Sequence, residues 1–154
     1  MIGTAVSAGL LPFMGLLPSA SFLGGSLLID LDHYLDFLVH NRFRSFSIRK
    51  MFLYHRHLFL RIKRAEFLSL EIFHTVEFLA FMEGWALWSG SLLLQTFTAG
   101  MITHSLCDML YLKWLGAFRA RTHSILEFFV RRRRLIRKGL AIERPYEEVL
   151  ALLE

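Results

Sequence analysis

The sequence predicts an all-α fold: an integral membrane helical bundle with three to four spans and a basic cytoplasmic C-terminal helical tail. Of the 154 residues, 55% are hydrophobic and only 20% are charged, whereas soluble domains have about 45–50% and about 25%. Two long stretches lack charged side chains, and Lys and Arg are confined almost entirely to two zones. This composition excludes a disordered chain, and the single cysteine, Cys107, excludes a disulfide scaffold.

The position of the charges is more informative than the net charge of +5. The first 29 residues carry no charged side chain, and neither do the 24 residues at 84–107. About 20 mostly apolar residues are enough to cross a bilayer. Eight basic residues lie in 42–64 and nine in 113–138. Cytoplasmic loops concentrate Lys and Arg in this way, so we expect both zones on the cytoplasmic side of the inner membrane.

The first apolar stretch predicts two helices, because Pro12 and Pro18 interrupt it. One helix lies near residues 4–17, where it either crosses the membrane or re-enters, and the other lies near residues 19–40. The pair Gly24–Gly25 would let another helix approach closely, since glycine has no side chain to hold two helices apart.

Helical patterns also cover most of the remaining chain. Residues 41–64 mix apolar and basic residues at helical spacing, which predicts an amphipathic helix in the membrane interface; a basic loop is the alternative. Two further helices are predicted at 65–88 and 92–115, on either side of a Ser-Gly-Ser turn. No alternation typical of a β-sheet is long enough to predict one.

The C-terminal part predicts a basic helix at 120–138 and a last short helix that opens at Pro145, followed by two acids. We therefore divide the chain into a membrane-embedded helical domain with the site, residues 1–118, and a basic cytoplasmic helical tail, residues 119–154.

Acidic and histidine residues recur within these apolar segments, where such residues are costly and usually functional. They form three clusters, each on one helix face or in one short run: Asp30, Asp32 and His33; His74 and Glu77; His104 and Asp108. Each cluster lies nine or ten residues from a basic zone, which is about 14–15 Å along a helix. The three clusters are therefore expected at one depth, as a metal site between facing helices requires.

Carboxylate and imidazole groups suit zinc, manganese or iron. We predict a divalent metal, with zinc favoured, held by five ligands: Asp32, His33, His74, His104 and Asp108. Asp30 and Glu77 are the predicted catalytic residues that assist. After the third cluster, Arg119, Arg121 and His123 are predicted to bind the substrate, since guanidinium groups make bidentate contacts with phosphate. The alternative for these three is a basic flank with a chance histidine.

The segments GGSLLIDLDHYLDF, FHTVEF and GMITHSLCDML, in this order, resemble the inner-membrane metal-dependent hydrolases, a family that includes a LexA-regulated member. That family carries Leu-Leu-Pro-Asp-x-Asp-His, then His-Arg-Gly-x-Thr-His-Ser, then Gly-x-x-x-His-x-x-x-Asp, and is distantly similar to zinc-dependent phospholipase C and P1-type nucleases. Gly100, His104 and Asp108 match the third segment. Ile29 replaces the family's proline, and the middle segment lacks the His-Arg-Gly before His74. The resemblance implies metal-dependent hydrolysis of a phosphoester.

We therefore predict a membrane-bound metal-dependent hydrolase that acts on a phosphoester of a lipid or lipid-linked substrate, with membrane lipid as its other partner. Nucleic acid is not an expected partner, because the arginine run 131–134 has no binding module beside it; a soluble protein that binds nucleic acid through its arginine runs is the last alternative. One alternative is a non-catalytic membrane protein in which the histidines bind haem or a metal, or form an ion pathway. Another is a structural or partner-binding relative of the enzymes.

Overall fold

The structure is a computed structural model that describes residues 2–153 and is mostly helical. The helices are α1 (Ile2–Met14), α2 (Leu16–Leu28), α3 (Leu31–His40), α4 (Ile48–Phe59), α5 (Val76–Ser89), α6 (Leu92–Trp114), α7 (Ile125–Arg137) and α8 (Arg144–Ala151). A short 3₁₀ helix, Ile72–His74, precedes α5. Two two-residue strands, β1 (Ser69–Leu70) and β2 (Arg121–Thr122), pair in parallel.

The chain forms two compact units whose segments alternate along the sequence. Unit 1 comprises Met1–Leu31 and Ile72–Tyr111, and unit 2 comprises Asp32–Glu71 and Leu112–Glu154. Neither unit coincides with the range 1–118 or 119–154.

Unit 1 depends on close packing of α2 against α6. A Cβ atom at Gly25 would lie 1.9 Å from the carbonyl oxygen of Phe97, and one at Gly100 would lie 2.1 Å from that of Phe22. Both glycines are therefore needed for the two backbones to approach as they do. The predicted role of the glycine pair in helix packing is confirmed at Gly25. The hydroxyl of Ser21 also donates to the carbonyl of Leu93 across the same contact, at 2.6 Å.

Unit 2 has a separate hydrophobic core, drawn from its helices and from the loops that flank the strand pair. Its buried members are Phe37, Leu38, Tyr54, Leu58, Phe67, Leu112, Ala117, Ala120, Tyr146 and Val149. The hydroxyl of Tyr146 is buried in this core, where it donates a hydrogen bond to the carbonyl of Leu68 at 2.7 Å. The core connects α8 to the loop before β1, and Glu71 directly follows β1.

Within residues 2–153, no helix combines the length and the apolar character that a bilayer crossing requires. The predicted integral membrane bundle with three to four spans is therefore wrong, and so are its placement in the inner membrane and the description of the protein as transmembrane. The charge-free stretches and the segregated Lys and Arg residues were misread as signs of spanning helices.

The reason for this error lies in where the helices end. Gly15, with φ of 79°, ends α1 and starts α2, so the first apolar stretch forms two helices of 13 residues each. A 13-residue helix is about 20 Å long, well short of the about 30 Å hydrocarbon core. α5 has only 14 residues. α6 has 23 residues, but polar residues such as Thr96, Thr98 and Ser105 recur along it.

Several element predictions are confirmed. The predicted helix at 92–115 is α6, the amphipathic helix expected within 41–64 is α4, and the last short helix is α8. The predicted helix at 65–88 starts late, since residues 69–74 form β1 and the 3₁₀ helix. The single helix expected near 19–40 is α2 and α3, separated by a turn at Asp30.

Candidate metal centre

Four of the predicted site residues meet within unit 1, and they come from three separate segments. Asp30 lies in the turn after α2, His74 ends the 3₁₀ helix, and His104 and Asp108 share one face of α6. The predicted i,i+4 pairing of His104 and Asp108 on one helix face is confirmed. We call these four residues the His–Asp cluster.

His104 is at the centre of the His–Asp cluster. Its Nε2 atom lies 3.3 Å from Oδ1 of Asp30 and 3.6 Å from Oδ1 of Asp108. Nε2 of His74 lies 3.7 Å from the other oxygen of Asp108. One ligand atom from each of Asp30, His74 and His104 can be chosen so that all three lie within 4.8 Å of one another.

The other ring nitrogen of His104 fixes the orientation of this imidazole. Nδ1 lies 2.6 Å from the carbonyl oxygen of Ser26 on α2. A carbonyl oxygen can only accept a hydrogen bond, so Nδ1 carries the proton that is donated. When the Nε2 proton is lost, the neutral ring presents the lone pair of Nε2 on the side of the two carboxylates. Histidines that bind metals are usually held by such a contact.

His74 is held by the turn in which it lies. Its side chain is almost fully buried, with 1% exposed. The hydroxyl of the next residue, Thr75, donates to the carbonyl of Ile72 at 2.7 Å and accepts from the amide of Phe78 at 3.3 Å. Thr75 thus ends the 3₁₀ helix and caps the start of α5, which leaves the His74 backbone little freedom.

The two carboxylates change the protonation of His104. Hydrogen bonds that the ring donates to Asp108 and, second, to Asp30 outweigh the effect of burial and raise the pKa of His104 to about 10. Without a metal ion, this imidazole is therefore a cation at neutral pH, paired with both carboxylates. A metal ion must displace that proton in order to bind Nε2.

The cluster is open on the side of its carboxylates. The side chains of Asp30 and Asp108 are 41% and 29% exposed. Together with His104 and Cys107 they line a cavity of about 340 Å³. Two atoms that bind one ion at about 2.1 Å lie at most about 4.2 Å apart, so the widest separation in the cluster must close slightly.

The other residues predicted for the metal site are not among the three whose ligand atoms converge. Glu77 is also in unit 1, exposed in the first turn of α5. Asp32, which is buried, and His33 belong to unit 2. Within unit 2, the His33 ring packs against the His55 ring at 4.8 Å, and His33 Nδ1 lies 3.8 Å from a Glu71 oxygen.

The predicted substrate-binding residues all lie in unit 2. Arg121 is buried, and its guanidinium is paired at 2.7 Å with Glu71, each side chain being 10% exposed. Arg119 is exposed. His123 is half-buried beside Phe118, with ring centroids 4.6 Å apart, and burial lowers its pKa. Arg121, one of the two arginines expected to bind the substrate, is thus already paired with Glu71.

Sequence reasoning missed the Ser26 contact and the ligand role that the geometry gives Asp30. A backbone carbonyl leaves no signature in a sequence, so the first could not have been found. A signal for the second was available, because Asp30 is the first carboxylate after the glycine pair Gly24–Gly25, which predicted a close helix contact.

No family model, curated protein or solved structure matches this chain. The resemblance to metal-dependent hydrolases thus stays a prediction based on the quoted segments. Nothing in the described part of the chain supports hydrolase chemistry, or zinc over another metal.

Proposed function

We propose that unit 1 binds a divalent first-row transition metal at Asp30, His74 and His104, and that the loaded site hydrolyses a phosphoester. The observation that carries the metal assignment is the convergence of one ligand atom from each of these residues within 4.8 Å. The reaction is the one that the resemblance of the three segments implies.

The residues fit a metal by donor chemistry as well as by distance. Two imidazole nitrogens and a carboxylate oxygen are a typical ligand set for zinc, iron or manganese. The Ser26 carbonyl holds His104 in the tautomer that frees Nε2. Asp108 lies within 3.6–3.7 Å of the Nε2 atoms of both histidines, where it is placed either to orient them or to join them as a ligand.

When bound, a divalent ion supplies Lewis-acid chemistry, lowering the pKa of water and neutralising charge on phosphoryl oxygens. The chain supplies the remaining functions. The cavity beside Asp30 and Asp108 gives a phosphoester access to the exposed side of the cluster. Asp30 offers a second carboxylate oxygen that can accept a proton from water.

A second function is favoured by the position of His104 between two carboxylates, whose oxygens lie 3.3 and 3.6 Å from its Nε2 atom. A protonated His104 between two carboxylates is itself a satisfied ion-pair cluster, which would stabilise unit 1 without a metal. This corresponds to the structural, non-catalytic alternative. The two functions differ in one property, namely the affinity of the purified protein for metal ions.

Calorimetric titration of the metal-stripped protein with Mn²⁺, Fe²⁺ or Zn²⁺ alone distinguishes them. We expect one site in the wild type, and binding weaker by about 100-fold in His104→Gln, because loss of a supporting contact alone costs about 10–100-fold. His57→Gln is the matched control, since His57 lies on α4 of unit 2, outside the cluster. It should bind metal as the wild type does.

Hydrolysis is measured on the same samples with bis(4-nitrophenyl) phosphate. Metal-dependent turnover that is lost in His104→Gln and kept in His57→Gln supports the whole proposal. Metal binding without turnover would retain the metal site and reject the hydrolysis. No binding of any of the three metals would reject both and leave the ion-pair cluster.

A further inference from the structure

Unit 2 contains a groove of about 720 Å³ whose charged lining is entirely cationic among the described residues. Its basic side chains come from the loop after α4, the loop after α6, and α7. They are Lys63, Arg64, Arg119, Arg131, Arg134 and Lys138. We call this the basic groove. It is independent of the His–Asp cluster, which lies in unit 1.

Among the described residues, two of the six cations have a carboxylate partner. Arg64 pairs with Glu148 at 2.7 Å, and Arg131 pairs with Glu127 at 3.1 Å. Across residues 2–153, the remaining four, which are Lys63, Arg119, Arg134 and Lys138, make no ion pair with a carboxylate. The basic groove thus holds an excess of like charge, which an anion would relieve.

The groove is also a fixed structure. The Arg131 guanidinium donates to the backbone carbonyl of Arg121 at 3.4 Å and to that of Arg119, so one helix residue secures the loop that carries Arg119. Arg131 is further held by Glu127, one turn before it on α7. The cationic side chains are therefore presented from a secured frame, which reduces the ordering cost of binding a ligand.

The chemistry of the lining selects the ligand class. Guanidinium groups match phosphate oxygens in bidentate geometry, and ammonium groups add point charges. Among the lining residues, Ile62 and Leu135 contribute apolar surface. We propose that the basic groove binds the phosphate group of an organic ligand whose apolar portion lies on this surface. A soluble phosphomonoester and the headgroup of an anionic lipid share this chemistry.

Two double variants of α7 test the proposal. Arg134→Gln with Lys138→Gln removes two cations that line the groove. Arg133→Gln with Arg137→Gln removes two exposed cations from the same helix that do not line it. Both variants lower the net charge equally, so a non-specific attraction of anions to a basic protein weakens equally in the two.

One probe is phenyl phosphate, whose binding is measured by calorimetry. The others are vesicles of phosphatidylglycerol or of phosphatidylcholine, whose binding is measured by co-sedimentation. We expect a loss of about tenfold or more in the groove variant and little change in the control variant. If this pattern holds for phenyl phosphate, the ligand is a soluble phosphoester. If it holds only for phosphatidylglycerol vesicles, the ligand is a lipid headgroup. Equal losses in both variants, or no binding of either probe by the wild type, would overturn the proposal.

Discussion

Nδ1 of His104 lies 2.6 Å from the carbonyl oxygen of Ser26, a residue 78 positions earlier in the chain. This contact joins α6 to α2 and turns Nε2 of the same ring toward Asp30 and Asp108. It depends on the short distance between the two helices, which Gly100, one turn before His104, makes possible. Helix packing and the chemistry of the cluster are thus consequences of one close approach.

Replacement of Gly100 by alanine should destabilise unit 1 and weaken metal binding together. The new Cβ would meet the carbonyl oxygen of Phe22 at 2.1 Å, and backbone cannot move aside as a side chain can. Overpacking of this kind costs about 1–3 kcal/mol, which exceeds the gain of about 0.5–1 kcal/mol from helix propensity. The free energy of unfolding, measured with denaturant, gives the first effect, and calorimetric metal titration gives the second.

Gly84→Ala is the matched control for that experiment. Gly84 lies inside α5, and a Cβ there meets nothing within 4 Å. This variant should be neutral or stabilised by up to about 1 kcal/mol. Equal stability in the two alanine variants would contradict the close packing of α2 and α6.

Arg121→Ala should be among the more damaging substitutions in unit 2. It leaves the Glu71 carboxylate, which is 10% exposed, without the cation that lies 2.7 Å away. Removal of one partner of a buried pair costs about 3–5 kcal/mol. The midpoint temperature of thermal unfolding should therefore be well below that of Arg144→Ala, whose pair with Glu148 at 3.0 Å is more exposed and contributes little.

The double variant Glu71→Leu with Arg121→Leu separates charge from packing at the same position. Apolar side chains of similar size often replace a buried ion pair without loss. We expect the double variant to be more stable than Arg121→Ala. If Arg121→Ala proved as mild as Arg144→Ala, the buried pair would not exist in solution.

The stability of unit 2 should depend on the protonation of His40. Burial lowers the pKa of His40, but the hydrogen bond and the charge of Asp36, with a smaller contribution from Glu143, together raise it above 6.5. The ring also stacks on Tyr146, with centroids 4.1 Å apart, and faces Tyr54. A folded pKa above the unfolded value means that protonation stabilises the fold.

The contribution of His40 is thus fully present below pH 6.5 and is lost as the pH rises through its folded pKa. We expect the difference in unfolding free energy between the wild type and His40→Gln to shrink over that interval. In a protein that also carries Asp36→Asn, this difference in unfolding free energy should depend less on pH. A difference that stays constant from pH 6 to pH 9 would show that Asp36 does not raise this pKa.

The sequence predicted the local parts of the candidate site better than the elements that carry them. Spacing alone placed His104 and Asp108 on one helix face, and the glycine pair at 24–25 indicated a close helix contact, as found at Gly25. Charge patterning failed because it reports composition and not where a helix ends, and Gly15 divides the first apolar stretch.

Long-range pairings were also beyond prediction. The parallel pairing of Ser69 with Arg121 joins residues far apart in the chain, and two-residue strands have no alternation to detect. The burial of Arg121 against Glu71 follows from that pairing. A basic residue in a basic segment gave no sign that its charge is compensated inside the fold.

The most direct test of the metal centre is a crystal structure of the metal-loaded protein, with anomalous diffraction recorded at the absorption edge of the added metal. We predict one strong anomalous peak about 2.1 Å from Nε2 of both His74 and His104 and from a carboxylate oxygen of Asp30. A loaded crystal whose anomalous density lies away from these three residues, or which has none, would contradict the assignment of unit 1 as a metal-binding unit.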